Sequence, residues 1–305
     1  MFNRFGDVKE KKGTVGRWCA RWAHLAVALT FLLAAPLTCG AESDTKSDLR
    51  ARLADESAPD SSMGEPVELG GGTMLRLHTP ERWKPLAAKI SIDLRHTHSE
   101  FTTLMGDIPQ FETAVHIMES KAFYALTGAP RWTNALFLRG DIILPVAVDE
   151  PLDYENIARS VKHEYTHAVN AALTAGRCPG WIDEGLAQYH EGAENPLLYQ
   201  ALADWLSDNR PVPFRLLLGG FTKLDTEMVP AAYAQSLVAS SSIVRMYGYP
   251  KLRRYFDGLR EGATRTDAFR EAFGVSEASF EERLGKTMMR VAREALHAHR
   301  HGHHH

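Results

Sequence analysis

The spacing of apolar residues divides the chain into a mixed first part and a helical second part. Up to residue 144, runs with a two-residue period alternate with stretches of helical period, as strands and helices do. The predicted elements are, in chain order, a strand at Met74–Leu77, a helix at Trp83–Leu104, a strand at Phe111–Met118, a helix at Lys121–Leu126 and a hairpin at Ala135–Leu144.

After Pro151 the apolar residues follow a helical period almost to the end of the chain. The predicted helices are Tyr154–Leu173, Trp181–Glu191, Leu197–Leu206, Pro230–Tyr247, Pro250–Gly258, Arg265–Phe273 and Glu277–Leu296. A mixed sheet and helix followed by a mostly helical part predicts an α+β fold, with the chemistry near the junction of the two parts.

The first 41 residues have the pattern of an export signal. Six basic and two acidic side chains precede the apolar run Leu25–Ala35, and small residues lead up to Ala41, after which we predict cleavage. An uncleaved anchor is the alternative, but the apolar stretch is about 15 residues long, whereas a spanning helix needs about 20. We therefore expect a periplasmic or secreted protein with no stable membrane span.

The remaining chain is predicted to contain one folded domain between two polar segments. Residues 42–65 have almost no large apolar side chains, which is typical of a disordered leader. The folded domain is predicted at residues 66–296. Residues 297–305 include six histidines and are interpreted as a flexible tail that attracts metal ions.

Charge and cysteine content narrow the classes of partner. Signal cleavage would leave a net charge of about −7, since the whole chain carries −3 and the signal is basic, so nucleic acid is not an expected partner. Cleavage would also leave Cys178 as the single cysteine, which excludes an internal disulfide. Because Cys178 has no partner cysteine and lies in a Cys-Pro-Gly loop, a nucleophilic role is not expected. Nothing in the sequence indicates an oligomeric state.

The run HEYTH at residues 163–167 has the H-E-x-x-H pattern of zinc hydrolases. On the predicted helix His163 and His167 lie one turn apart on one face, so both imidazoles can reach one ion. Two imidazoles suit zinc, and Glu164 can act as general base on the attacking water. The alternative is a chance match on a solvated helix face, with odds of roughly one in fifty or less.

A hydrolytic zinc site usually has three protein ligands, so a third is expected downstream. The helix Trp181–Glu191 offers four candidates, and spacing alone leaves all of them open. Gly185, within this helix, predicts a close approach to the active-site helix. The candidates are Asp183, Glu184, His190 and Glu191. His96, His98 and His116 have no ligand-like spacing and are interpreted as ordinary histidines.

The HEYTH run followed by a W-x-x-E-G-x-A-x-Y pattern resembles the gluzincin metallopeptidases, specifically the peptidase MA-like group. The matching residues of the second motif are Trp181, Glu184, Gly185, Ala187 and Tyr189. The resemblance implies a thermolysin-like zincin fold and one catalytic zinc ion on His163, His167 and Glu184. It also implies that Glu164 activates water and that the substrate is a peptide or protein.

Three further features bear on the predicted site. Gln188 stands where the best-known gluzincins have a carboxylate that orients a ligand histidine, which predicts weaker support of that imidazole. Tyr233 resembles a later family tyrosine and either donates to the oxyanion or is a core aromatic residue. The edge of the hairpin at Ala135–Leu144 either binds an extended peptide or belongs to the sheet core.

The sequence thus predicts an exported zinc-dependent metallopeptidase with Glu164 and Tyr233 as catalytic residues. The alternative is a non-catalytic, zinc-stabilised binding or assembly module of the cell envelope. Retention of the general base Glu164 favours the peptidase, because a binding module has no need of it.

Overall fold

The computed structural model describes residues 66–131, 133–192 and 196–301. The predicted signal peptide, residues 1–41, and the predicted leader, residues 42–65, lie outside the described residues, as do the last four residues of the His-rich tail. Within the described ranges, every helix is too short or too polar to cross a bilayer.

The first part of the domain is built on a five-stranded mixed sheet of order β1-β2-β3-β5-β4. The strands are β1 (Val67–Gly70), β2 (Thr73–His78), β3 (Glu112–Glu119), β4 (Leu136–Leu138) and β5 (Asp141–Val146). The three central strands are parallel, whereas β1 and β4 are antiparallel to their neighbours and form the two edges. The predicted hairpin is present as β4 and β5.

Strand β1 was not predicted from the sequence. It has only four residues, too few to show an alternating pattern, and it is joined to β2 by Gly71 and Gly72. Both glycines have a positive φ, of 57° and 80°, which side-chain-bearing residues rarely adopt. The glycine run was therefore the one local signal for a tight turn between two strands.

The helices agree closely with the predicted ones. They are α1 (Lys84–Met105), α2 (Ser120–Thr127), α3 (Tyr154–Thr174), α4 (Gly180–Glu191), α5 (Pro196–Asp208), α6 (Val229–Glu261), α7 (Arg265–Phe273) and α8 (Glu277–His301). Helix α6 is broken at Gly248, where φ is 75°, and its two segments correspond to the two predicted helices on either side. Helix α8 continues five residues beyond the predicted end at Leu296.

The sheet is covered on both faces, which explains the unbroken burial of β3 from Thr113 to Met118. Val115 and Ile117 point into the large core that the sheet shares with the long helices. Met118, on the opposite face, packs in a smaller cluster with Phe123 of α2 and Ile143. A mixed sheet with one long helix and a mostly helical remainder confirms the predicted α+β fold class.

Helix α3 lies at the junction of the two parts, since it contacts β4 and β5 on one side and α4 and α6 on the other. Asp153 caps its N-terminus by accepting a hydrogen bond from the Asn156 backbone at 3.1 Å. The expectation that Gly185 faces α3 was wrong. A Cβ at Gly185 would lie 2.1 Å from the Ser236 carbonyl oxygen, so this glycine allows α4 to approach α6 instead.

Candidate metal centre

The structure brings together His163, His167 and Glu184. The Nε2 atoms of both imidazoles lie 3.8 Å from the same Glu184 oxygen, and the potential ligand atoms of all three residues lie within 4.8 Å of one another. Each of these side chains is at most 1% exposed. Of the four candidates for the third ligand on α4, the geometry selects Glu184.

This donor set fits a zinc ion. Two imidazole nitrogens and one carboxylate oxygen form a known catalytic zinc ligand set, and distances of 3.8 Å suit two ligands of one ion better than a direct hydrogen bond. Burial lowers the pKa of His163, but the neighbouring carboxylates of Glu184 and Glu191 outweigh burial and leave this pKa well above its ordinary value. The surroundings of the imidazoles therefore favour positive charge.

The same balance holds for the second histidine. Burial lowers the pKa of His167, and the charges of Asp183 and Glu184 outweigh it and raise that pKa to about 9. A pocket that holds a proton on both imidazoles when no metal competes is electronegative, so it also favours a divalent cation in place of the protons.

Carboxylates also hold the far nitrogen of each imidazole. Nδ1 of His163 shares a hydrogen bond with Glu191 Oε2, and Nδ1 of His167 lies at ion-pair distance from Asp183 Oδ2, each at 2.9 Å. The Asn170 amide in turn donates to Asp183 at 2.8 Å. With Nδ1 occupied, the Nε2 atoms of both rings face Glu184, as metal-ligating histidines require.

These two carboxylates were missed as supports of the histidines. They were considered only as alternative metal ligands. The side chain of Glu191, at the end of α4, is 10% exposed. A signal was available, because Glu191 follows Glu184 by two helical turns and so lies on the same face. Gln188, between them, donates to the Tyr233 carbonyl at 3.2 Å instead of supporting an imidazole.

Glu164 is fully buried beside the three-residue group. Its Oε2 accepts a hydrogen bond from the Phe137 backbone N–H of edge strand β4 at 2.8 Å, while its Oε1 has no hydrogen-bond partner within the described part of the chain. Burial raises the pKa of Glu164 to about 7, although the neighbouring His163 and His167 lower it. A carboxyl group with such a pKa can take and return a proton near neutral pH.

Tyr233 of α6 is brought to the same site. Burial raises the pKa of its phenol well above the ordinary value, and the charges of Glu184 and Glu164 raise it further, so the hydroxyl stays protonated beside both carboxylates. Its ring also packs edge-on against Phe221, with centroids 4.9 Å apart. Tyr233 thus has the surroundings of a core aromatic residue and of a hydrogen-bond donor at the site.

The other histidines and the cysteine do not join the group. His190 packs on Phe101 with ring centroids 4.5 Å apart, and burial lowers its pKa to about 4. His98 shares a 2.8 Å hydrogen bond with the Tyr165 hydroxyl. Burial raises the pKa of the Cys178 thiol well above its ordinary value, which disfavours a nucleophilic role.

The site and the fold agree with the family to which the sequence is similar. Residues 113–290, more than half of the chain, match the Peptidase MA superfamily, and the chain belongs to this superfamily. The matched range includes two of the three central parallel strands, β3 from its second residue onward and β5, together with the HEYTH run and the helix that carries Glu184. The predicted membership of the gluzincin, peptidase MA-like group is confirmed.

Solved structures similar to the chain include mutants of M1 zinc metallopeptidases. Two are from Deinococcus radiodurans, one of them bound to a Tyr-Ser-Ala substrate, both with 15% identity and TM-scores of 0.40 and 0.41. The alignments cover 75% and 76% of this chain and 51% and 50% of those chains. A third, a two-domain M1 zinc metallopeptidase bound to L-arginine, has 16% identity and a TM-score of 0.39, with coverage of 76% and 50%.

The chain therefore spans about half the length of the solved structures it matches. No curated protein shows a significant match to it.

Proposed function

We propose that the chain is an exported zinc-dependent peptidase that hydrolyses peptide bonds. The observation that carries the proposal is the convergence of His163, His167 and Glu184 next to the buried carboxyl group of Glu164. These three residues would hold one zinc ion. When bound, zinc supplies Lewis-acid chemistry, which makes water more acidic and polarises the scissile carbonyl.

Glu164 has the properties that a general base needs. Its Oε2 is anchored by the Phe137 N–H, so the side chain is held in one orientation, and its Oε1 remains available to take a proton from the attacking water. The same carboxyl group then returns the proton to the leaving amine. A pKa of about 7 suits both transfers near neutral pH.

Two features support a peptide as substrate. Edge strand β4 pairs only with β5 among the described strands, and its Phe137 reaches Glu164, so an extended peptide added to this edge would run past the site. Tyr233, with its hydroxyl kept protonated, is the proposed donor to the oxyanion that develops on the attacked carbonyl.

The proposal is tested by digestion of a broad peptide library, with new termini identified by mass spectrometry. The protein with zinc should cleave, and a chelator or the substitution Glu164→Gln should stop cleavage. Zinc is measured in parallel against a His163→Ala/His167→Ala variant, because the His-rich tail can bind metal itself. Zinc held at the site with no cleavage of any peptide would favour the non-catalytic module.

Export is a separate part of the proposal, because the signal lies outside the described residues. The basic and apolar segments before Ala41 support it. N-terminal sequencing of the protein recovered from the exported fraction should give a start at or near Glu42. Recovery of Met1 on that protein would favour a retained anchor.

A further inference from the structure

We propose that Glu191 is the residue that positions His163 for metal binding, and that Gln188 has no part in this task. The inference rests on the proposed zinc site. It assigns the support of the first ligand histidine to the end of α4, three residues beyond the position from which a carboxylate was expected.

The contact between Glu191 and His163 is the main observation. Glu191 Oε2 lies 2.9 Å from Nδ1 of His163, and the imidazole itself is fully buried. A carboxylate that accepts a hydrogen bond from Nδ1–H fixes the tautomer in which the lone pair on Nε2 can bind a metal, and it raises the basicity of the ring. Nε2 is the atom that faces Glu184.

Gln188 is committed to a different bond. Its Nε2 donates to the carbonyl oxygen of Tyr233 and so ties α4 to α6 in a buried position. A carboxylate at residue 188 has no proton to donate near neutral pH and would face that carbonyl oxygen with like partial charge. The amide at 188 and the carboxylate at 191 therefore form one consistent arrangement, in which each side chain serves a different neighbour.

Asp183 provides an internal comparison. It holds Nδ1 of His167 at 2.9 Å, as Glu191 holds Nδ1 of His163, and it is itself held by Asn170 of α3. Helix α4 thus supplies the proposed ligand Glu184 and, on either side of it in sequence, one supporting carboxylate for each histidine. Loss of such a support typically costs 10- to 100-fold in metal affinity.

The test is a zinc competition titration against a chromophoric chelator with the full chain. The His163→Ala/His167→Ala variant is the blank for metal bound by the tail. We expect Glu191→Ala to weaken zinc binding by about 10- to 100-fold and Glu191→Gln, which can still accept a hydrogen bond, by less. Gln188→Met, which removes the amide at similar volume, should bind zinc as the wild type does.

Glu282→Gln, an exposed glutamate-to-glutamine change on α8, is the matched control and should have no effect. The visible spectrum of the Co²⁺-loaded protein separates positioning from general stability. We expect Glu191→Ala to change this spectrum and Gln188→Met to leave it unchanged, whatever each does to the melting temperature.

The inference is overturned if Glu191→Ala and Glu191→Gln both bind zinc as tightly as the wild type, or if Gln188→Met weakens binding as much as Glu191→Ala. If the wild type binds no more zinc than the blank, the proposed zinc site itself fails. The two failures are therefore distinguishable in one set of titrations.

Discussion

Two buried clusters in this protein each contain two histidines and one carboxylate, but their imidazole rings are arranged differently. The candidate metal centre contains His163, His167 and Glu184, and the sheet contains a second pair of histidines with a carboxylate. The second cluster consists of His78 of β2, His116 of β3 and Asp141 of β5, each at most 6% exposed. Residue type and burial alone do not tell these two clusters apart.

The orientation of the imidazole rings distinguishes the two clusters. In the metal centre the planes of the two imidazoles cross at 72°, and both Nε2 atoms approach one Glu184 oxygen. In the sheet, His78 and His116 are register partners on parallel strands, and their rings stack at 5° with centroids 4.4 Å apart. Nitrogen lone pairs lie in the ring plane, so parallel stacked rings do not direct them at a common ion.

The comparison teaches that backbone spacing decides the chemistry of such a cluster. Helical spacing of four residues turns two imidazoles toward a shared point, whereas parallel register sets them face to face. The sheet cluster is accordingly a packing feature, in which two stacked rings fill the sheet face.

The largest effect is expected for removal of the third ligand. Glu184→Ala should reduce zinc affinity by more than the roughly 10- to 100-fold of a supporting residue and should abolish turnover, because two ligands remain. Asp141→Asn replaces the carboxylate of the sheet cluster with an amide, and this variant should still bind one zinc ion. Both variants are tested by their zinc content after gel filtration, from which the zinc bound by the His163→Ala/His167→Ala variant is subtracted.

The other residues considered on α4 sharpen this prediction. Asp183→Ala, His190→Ala and Glu191→Ala should each still bind one zinc at protein concentrations well above the dissociation constant. A Glu184→Ala protein that keeps its zinc, beside an Asp183→Ala or His190→Ala protein that loses it, would contradict the ligand assignment. Zinc binding through His163 and His167 would survive that result.

The next largest effect is expected for loss of the general base Glu164, which should impair the chemical step without impairing metal binding. Glu164→Gln should keep zinc and fold normally while lowering turnover by about 10²- to 10⁴-fold, since an amide cannot take the proton of the attacking water. The measurement is kcat on a peptide identified in the library digest, with zinc content determined on the same sample. Turnover at the wild-type rate would refute Glu164 as the base.

A smaller effect is expected for Tyr233→Phe. Loss of the hydroxyl should lower kcat by about 10²- to 10³-fold if it donates to the developing oxyanion, and zinc affinity should not change. Phe221→Leu is the control for ring packing, because it alters the ring contact and leaves the hydroxyl in place. An unchanged kcat for Tyr233→Phe would assign this residue to the core.

The sequence predicted the helices and four strands well because each has a long or clear apolar period. It also predicted His163, Glu164 and His167, since their spacing within one helix is a local property. The choice of Glu184 came from the family resemblance. Spacing alone could not select Glu184 among the four candidates, because that choice depends on how α4 lies against α3.

The support of the histidines was missed for the same reason, because the two-turn spacing of Glu191 from Glu184 gives a shared helix face but not the neighbour that this face contacts. Asp183 and Glu191 act across the contact between two helices, and Phe137 reaches Glu164 from a strand 27 residues earlier. Apolar periodicity gives the buried face of each helix but not the rotation and offset of one helix on another. Gln188 was misassigned because its partner, the Tyr233 carbonyl, lies on a third helix.

The smallest effect concerns the sheet cluster and the pH dependence of stability. Burial, together with nearby His116 and Arg76, lowers the pKa of His78 to about 4 against the opposing charge of Asp141. The folded state therefore binds fewer protons than the unfolded state between pH 4 and pH 6.5. The free energy of unfolding should rise with pH in this window and fall on acidification.

His78→Gln removes this titration and tests the role of the sheet cluster. Between pH 7.5 and pH 5 the wild type should lose at most about 2 kcal/mol more of its unfolding free energy than the variant, measured by urea denaturation. Acid release of zinc from the metal centre affects both proteins equally, so the difference isolates His78. Equal losses in the two proteins would show that His78 titrates normally in the folded state and would remove this contrast between the sheet cluster and the candidate metal centre.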